Sequence, residues 1–383
     1  MKKLNRLTPG KTLKHLVVIF FVVIWTLPTL GLLVSSLRDK DQLAFSGWWT
    51  ALTATERNEA FRMGRANEQV TSAGLNTISG NIFEGKSGRT VITWGTNSKK
   101  LDQYQPGDTA TMKDGSRVTL DANGDYRWES YETFTHSRGK RIFAVAEIPP
   151  RFTLENYKEV LSAEGIGQSF VNSFAVTLPA TFIPILIAAF AAYALAWMDF
   201  KGRNLTIAIV VGLLVVPLQM SLIPVLKTYN LIGGYFDVPA KSYPGIWLAH
   251  TGFGLPLAVY LLRNYMVGLP KEIMESARMD GATHFQIFRT IILPLSLPAL
   301  ASFAIFQFHW VWNDLLVAMV YLGQGEDKTV LTAQLRELLG SRGDNWEILT
   351  SGAFISIVVP LIVFISLQRY FVRGLLAGSV KGG

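Results

Sequence analysis

Gly80-x-x-x-x-Gly85-Lys86-Ser87 has the spacing of a phosphate-cradling loop, in which backbone N–H groups hold phosphates and the lysine reaches the terminal one. Such a loop works after a buried strand and at the start of a helix. Here Gly88, Arg89 and a β-type run follow, and no apolar strand ending in Asp offers a magnesium ligand. The motif therefore reads as a flexible Gly-rich loop. Thiol chemistry is excluded outright: with no cysteine there is no disulfide framework, thiolate metal site, iron–sulfur cluster or cysteine nucleophile. The polar block 38–165 contains one histidine, His136, and no acid–base constellation.

The remaining polar groups of interest sit in apolar surroundings, and the elements around them explain why. Charged residues make up 17% of the 383, against about 25% in soluble domains. The deficit falls in blocks. Leu16 to Val34 carries no charge, and 19 helical residues reach about 28 Å, the thickness of a bilayer's hydrocarbon core. Further apolar stretches cover 168–198, 204–226, 245–267, 296–322 and 348–368, so six spans are expected. Lys2, Lys3, Arg6, Lys11 and Lys14 precede the first span and no small-residue cleavage site follows it, which reads as an uncleaved anchor. Lys201, Arg203, Arg263, Lys271, Arg278, Arg289, Arg369, Arg373 and Lys381 fall on the side of the N-terminus, so both termini are expected in the cytoplasm. The net charge of +8 thus marks a membrane face, with no nucleic acid implied.

Residues 38–165 then lie outside. Residues 52–72 are polar with helix formers, whereas 88–147 contain β-type runs with Asp114-Gly115 and Asn123-Gly124 at hairpin positions. A small β-rich domain is expected, with Trp94, Tyr104, Tyr126, Trp128, Tyr131 and Phe134 in its core. The fold class is an all-α membrane protein with this β-rich insertion. The organisation is 1–37 tail and first span, 38–165 insertion, 166–369 five-span core with a cytoplasmic loop at 269–294, and 370–383 tail.

That loop is the most informative segment. Pro270 suits a helix's first turn, Ile273, Met274 and Ala277 share a face, and Gly281 can end the helix in a left-handed conformation. Thr283 can cap a second helix with Phe285, Phe288 and Ile292 on one face, stopped by Pro294. Amphipathicity alone also allows an interfacial helix on lipid. The spacing Glu275-Ser276-Ala277, three residues, Gly281, nine residues, Ile291-x-Leu293-Pro294 resembles the docking loop of membrane subunits in ATP-binding-cassette importers. The resemblance implies that Glu275, Ser276, Ala277, Asp280 and Gly281 meet a separate ATPase subunit.

It extends over about 150 to the end. Phe152 to Tyr157, Asn172-Ser173, Ala191 to Ala196, Phe200 to Arg203 and Trp312-Asn313-Asp314 are similar to the carbohydrate branch, in particular the maltose-type second permease. The long first loop departs from that pattern and is similar to permeases of α-glucoside importers. The resemblance implies a bacterial inner-membrane subunit that imports a sugar with a second homologous permease, two ATPase subunits and an extracytoplasmic solute-binding protein. It implies no cofactor, no metal and no covalent chemistry in this chain. It also places Gly378, Ser379, Val380, Lys381 and Gly382 between the ATPases, against the alternative of a frayed terminus. Arg342, Asp344 and Trp346 would meet the binding protein, against the alternative of a polar connector with an interfacial Trp. Gln307, Asn313 and Asp314 have two readings, a sugar path or interhelical hydrogen bonding at the contact between permeases. Two other function classes stay open: an enzyme or sensor built on 38–165, and an ion-coupled transporter using His250 or His309 with a buried carboxylate.

Overall fold

The structure, a computed structural model, describes residues 9–84, 88–237, 239–323, 325, 327–341 and 345–379. It divides into two compact units, Met1–Leu154 and Glu155–Gly383.

The first unit begins with α1 (Pro9–Ser36), of which Gly10–Ser36 is long and apolar enough to cross a membrane. A short α2 (Lys40–Leu43) follows, capped by the Asp39 carboxylate accepting from the Asp41 N–H at 2.9 Å. Eight strands then appear among the described residues: β1 (Thr55–Arg62), β2 (Val70–Ser72), β3 (Leu75–Asn81), β4 (Thr90–Gly95), β5 (Thr109–Thr111), β6 (Arg117–Leu120), β7 (Asp125–Ser130) and β8 (Arg141–Ile148). They form two antiparallel sheets, ordered β1-β8-β4 and β2-β3-β7-β6-β5. Trp94 and Trp128 are fully buried at the centre with Ile78, Leu120 and Ile142. The indole of Trp128 donates to Ser116 Oγ at 2.9 Å, so its polar edge is satisfied inside the core.

Three expectations change here. Residues 55–62 form a strand despite their helix formers, because pairing with β8 along Thr55↔Ile148 to Arg62↔Arg141 outweighs local propensity. Glu59 on its half-buried face takes Arg57 and Arg89, each at 3.2 Å. The β region therefore starts at 55 rather than 88. Tyr131 is 83% exposed, just past the end of β7, and is not core; Trp94, Tyr126, Trp128 and Phe134 are, with Tyr104 packed against them. The two glycine turns are three-residue loops in which Gly115 and Gly124 hold φ of 80° and 86° while the preceding Asp and Asn do not. Gly80 lies in β3, and among the described residues the next element is strand β4; Gly85, Lys86 and Ser87 fall outside the described residues.

Asp114 makes one hairpin pH-sensitive. Burial raises its pKa, but the Lys140 ammonium and the Ser116 hydroxyl and N–H hold it down at about 2. An unfolded Asp titrates near 3.9. Its contribution to stability is therefore present above about pH 4 and lost as pH falls through about 2. With the side chain 40% exposed the effect is small, and thermal unfolding followed between pH 5 and 2 should lose that part of its slope in Asp114→Asn.

The second unit opens with α3 (Glu155–Ser162), whose Val160 packs with Ile166, Phe308 and Trp312; residues 155–165 belong to this unit rather than to the insertion. The long α4 (Ile166–Trp197) packs on α7 (Tyr243–Val267), and Ala188, Ala189, Ala192 and Ala258 at the contact allow the backbones to approach closely. Between them the third span is broken into α5 (Arg203–Leu213) and α6 (Leu218–Phe236), bent by 108°. Pro217 is the cause, since it has no N–H to continue α5 and caps α6 instead; Pro224 sits inside α6 without breaking it.

After α8 (Lys271–Met279) come α9 (His284–Ile287), a wide turn at Phe288–Ile292, α10 (Leu293–Leu295) and α11 (Leu297–Trp312). The wide turn carries the helix past Pro294, so the stop expected there falls at Ser296, where the axis bends by 69°. The expected span 296–322 is also interrupted after Trp312. Asn313 Nδ2 donates to the His309 carbonyl at 2.9 Å, and Asp314 Oδ1 accepts from the Val317 N–H at 2.9 Å, ending α11 and starting α12 (Leu316–Tyr321). Finally α13 (Leu331–Ser341) leads to α14 (Trp346–Ser379), whose backbone stays helical past the expected tail boundary at 370. Among the described residues four single helices and two bent pairs are long and apolar enough to cross, up to six spans if each pair is one.

Candidate functional site

The loop from α7 to α11 is held to the rest of the second unit by its buried face. Met274 of α8 is 2% exposed and packs with Ile287, Phe288 and Ile292 against Tyr193 and Leu195 of α4. Ile273 and Phe285, which the sequence pattern places on these faces, are both exposed, and Ile287 takes the inward place. Hydrogen bonds fix the orientation. The Arg278 guanidinium donates to the Trp197 carbonyl at 3.2 Å, while Arg203 donates to Leu195 and Ala196 carbonyls at 3.0 and 3.3 Å. Both cations thus sit on the C-terminal carbonyls of α4, where the helix dipole is negative. Tyr193 Oη lies 3.0 Å from His284 Nδ1, and Tyr265 Oη donates to the Leu295 carbonyl at 3.1 Å.

Both ends of the joint are closed. Gly281 holds φ of 79°, its N–H donates to the Arg278 carbonyl and the Ala282 N–H donates to Ala277, each at 3.0 Å. These two bonds are a Schellman motif. Thr283 and Gln286 then form a reciprocal capping box at the start of α9. Of the residues singled out by sequence, Glu275, Ser276 and Asp280 point outward with Met279, which is 88% exposed, while Ala277 is half-buried against the α4 side. Tyr193, Arg278, His284 and Gln286 support the loop beyond the residues the sequence pattern singles out. Only Gln286 had a sequence signal, the Thr-x-x-Gln spacing.

The other candidates do not assemble into one site. Gln307 is buried, donating to the Ala180 carbonyl at 3.1 Å and the His250 carbonyl at 3.4 Å; its interhelical bonds run within this chain, and it is apart from the cavity. Asn313 and Asp314 line an open cavity of about 640 Å³ with Leu218, Gln219 and Trp310, at the breaks of the third and fifth spans. Trp346 opens α14 and is 59% exposed; Arg342 and Asp344 lie outside the described residues. Gly378 and Ser379 continue the helical backbone, and Val380, Lys381 and Gly382 lie outside the described residues. Among the described residues no ion pair joins His250 or His309 to a carboxylate; His309 Nδ1 faces the Ile305 carbonyl at 3.0 Å. In the first unit a cavity of about 520 Å³ is lined by Asp39, Asp41 and Glu56, but also by Arg57, Arg89 and Arg151, with Asp39 paired to Arg151 at 3.5 Å.

The second unit is thus an α-helical membrane core with two broken spans and a short amphipathic helix braced on one face and open on the other. Residues 169–376 match the family model described as binding-protein-dependent transport system inner membrane component, and the chain belongs to that family. It is similar to the alpha-glucoside transport system permease protein of Rhizobium meliloti, 64% identical over 99% of both chains. It is also similar to the osmoprotective compounds uptake permease protein of Synechocystis, 43% identical over 96% of this chain and 91% of that one. A solved bacterial transporter that imports the polysaccharide alginate aligns with 59% of this chain and 82% of its own, at 24% identity and a TM-score of 0.48. The protein is an inner-membrane permease subunit of an ATP-binding-cassette transporter and not an enzyme.

Proposed function

We propose that this subunit imports an α-glucoside, with the exposed face of α8 as the contact through which a pair of ATPase subunits drives it. The substrate follows from the full-length likeness to an alpha-glucoside transport permease. The coupling role rests on one observation: α8 presents Glu275, Ser276, Met279 and Asp280 outward while Met274 and the Arg278–Trp197 bond tie it to α4. A push on this face is transmitted as a rigid displacement of α4, α7 and α11, because packed interfaces shift between discrete arrangements rather than deform. A second homologous permease and a solute-binding protein outside complete the assembly, both termini are cytoplasmic, and the end of α14 with the residues after it reaches the ATPase interface. Arg342, Asp344 and Trp346 meet the binding protein. Asn313 and Asp314 face the sugar path, since broken helices leave polar groups toward a cavity in the bilayer, whereas Gln307 is a packing residue.

Labelled α-glucosides, trehalose and maltose included, are offered to cells carrying the whole transporter with wild-type or Glu275→Lys permease. Glu275 is exposed, so the charge reversal leaves packing intact. Uptake of one sugar is expected, lost in the variant at equal membrane levels. Uptake that survives the reversal, or collapses with the ion gradient while ATP is intact, overturns the coupling.

A further inference from the structure

The loop after α1 exposes large apolar side chains for which the transport reading has no use. Trp49 and Leu52 are 74% and 82% exposed, whereas the ring of nearby Phe45 carries the Arg57 guanidinium 3.6 Å above it. Large apolar side chains left in the open beside the end of a span point to a surface that covers them. Two observations set their depth. Trp48 lies against Gly31 of α1 so closely that a Cβ on Gly31 would stand 2.6 Å from the indole Nε1 and 2.7 Å from Cε2. The missing side chain is what admits the ring. Gly31 is inside the uncharged run Leu16–Val34, three residues or about 4.5 Å before its end. The second observation is Arg38, 2% exposed, whose guanidinium donates to the Ser46 and Gly47 carbonyls at 2.9 Å each and to Ser46 Oγ at 2.5 Å. The chain is thereby folded back along the last turns of α1. The Trp49 ring stands edge-on to Trp48 with centroids 6.2 Å apart.

We infer that Trp49 and Leu52 form a seat in the headgroup–acyl boundary of the leaflet where the C-terminal end of α1 emerges, with lipid as the occupant. Continuity with the span carries this. Trp48 touches a residue that is itself at membrane depth, and the Trp49 ring stands against Trp48, which brings exposed Trp49, and Leu52 three residues on, to the level of that layer. Indole suits that layer because it joins an apolar body to a polar N–H edge. The guanidinium clamp and the Gly31 notch then give the loop a fixed register on α1, and the seat lays it on the bilayer surface. The inference depends on α1 crossing the membrane and not on the sugar or the ATPase contact, so it stands or falls separately from them.

The absence of cysteine provides a clean probe. Leu52→Cys and, separately, Trp49→Cys carry an environment-sensitive NBD fluorophore in the full transporter, its other subunits made cysteine-free, in phosphatidylcholine nanodiscs. A nitroxide sits on the lipid headgroup or a shallow acyl carbon. Both positions are exposed, so neither substitution removes core packing. Tyr131→Cys, at an 83% exposed position, is the reference. Labels at 52 and 49 are expected to lose most of their emission to the shallow nitroxides and to resist a water-soluble quencher, with the reverse at 131. Labels at 52 and 49 that behave like the one at 131 would place the loop in water and overturn the seat. Labels shielded from both quenchers would put a protein surface there instead and overturn it equally.

Discussion

Gly281→Pro is expected to abolish retention of the ATPase subunits while the permease still reaches the membrane. Proline fixes φ near −65°, whereas Gly281 holds 79°, and it lacks the N–H that bonds to the Arg278 carbonyl at 3.0 Å. The penalty is about 3 kcal/mol or more, concentrated in the joint between α8 and α9 and away from the spans. Two milder variants grade the effect. A Cβ at this position meets nothing within 4 Å, so Gly281→Ala carries backbone strain alone, about 1–2 kcal/mol, and should weaken association without removing it. Gly281→Asn, which tolerates the left-handed region, should stay near wild type. Co-purification of the ATPase with each variant, at matched membrane levels, checks the series. Full association of the proline variant would remove the docking model.

Trp128→Ala should be the most damaging single change in the first unit. Trp128 is 1% exposed, packs 4.4 Å from the Phe134 ring centroid and donates to Ser116 Oγ at 2.9 Å. Truncating a buried tryptophan costs about 3–5 kcal/mol, a large part of the 5–15 kcal/mol typical of a domain. It also removes the indole donor to Ser116 Oγ, leaving that hydroxyl only its bond to Asp114 at 2.7 Å. Limited proteolysis of the whole protein in membranes should then cut within 55–148 while the spans remain protected. Tyr131→Ala is the control, expected within about 0.5 kcal/mol of wild type because the side chain is in water.

Much of the molecule was legible before folding because a bilayer imposes strong one-dimensional rules. An uncharged helical run long enough to cross announces itself by length alone, as Leu16–Val34 does. Helix α8 was legible for a different reason: its limits are set by Pro270, Gly281 and Thr283, residues whose backbone preferences act locally. The glycine turns at 115 and 124 belong with them.

Tertiary structure decided what local preference could not. The helix formers of 55–62 became a strand because β8 offered a paired edge along all eight residues. Tyr131 and Trp128 are both aromatic and three residues apart, and only the packing of the two sheets puts one in the core and the other in water. Gln307 looked like its polar neighbours Asn313 and Asp314, yet helix packing buried it between α4 and α7 and left the others at a helix break facing a cavity. Arg38, one charge among 36 basic residues, gained its role from carbonyls eight and nine positions away that the fold turned toward it. In each case the deciding interaction is with a partner that only chain folding brings near, so its energy leaves no mark on the residue's own neighbourhood in sequence.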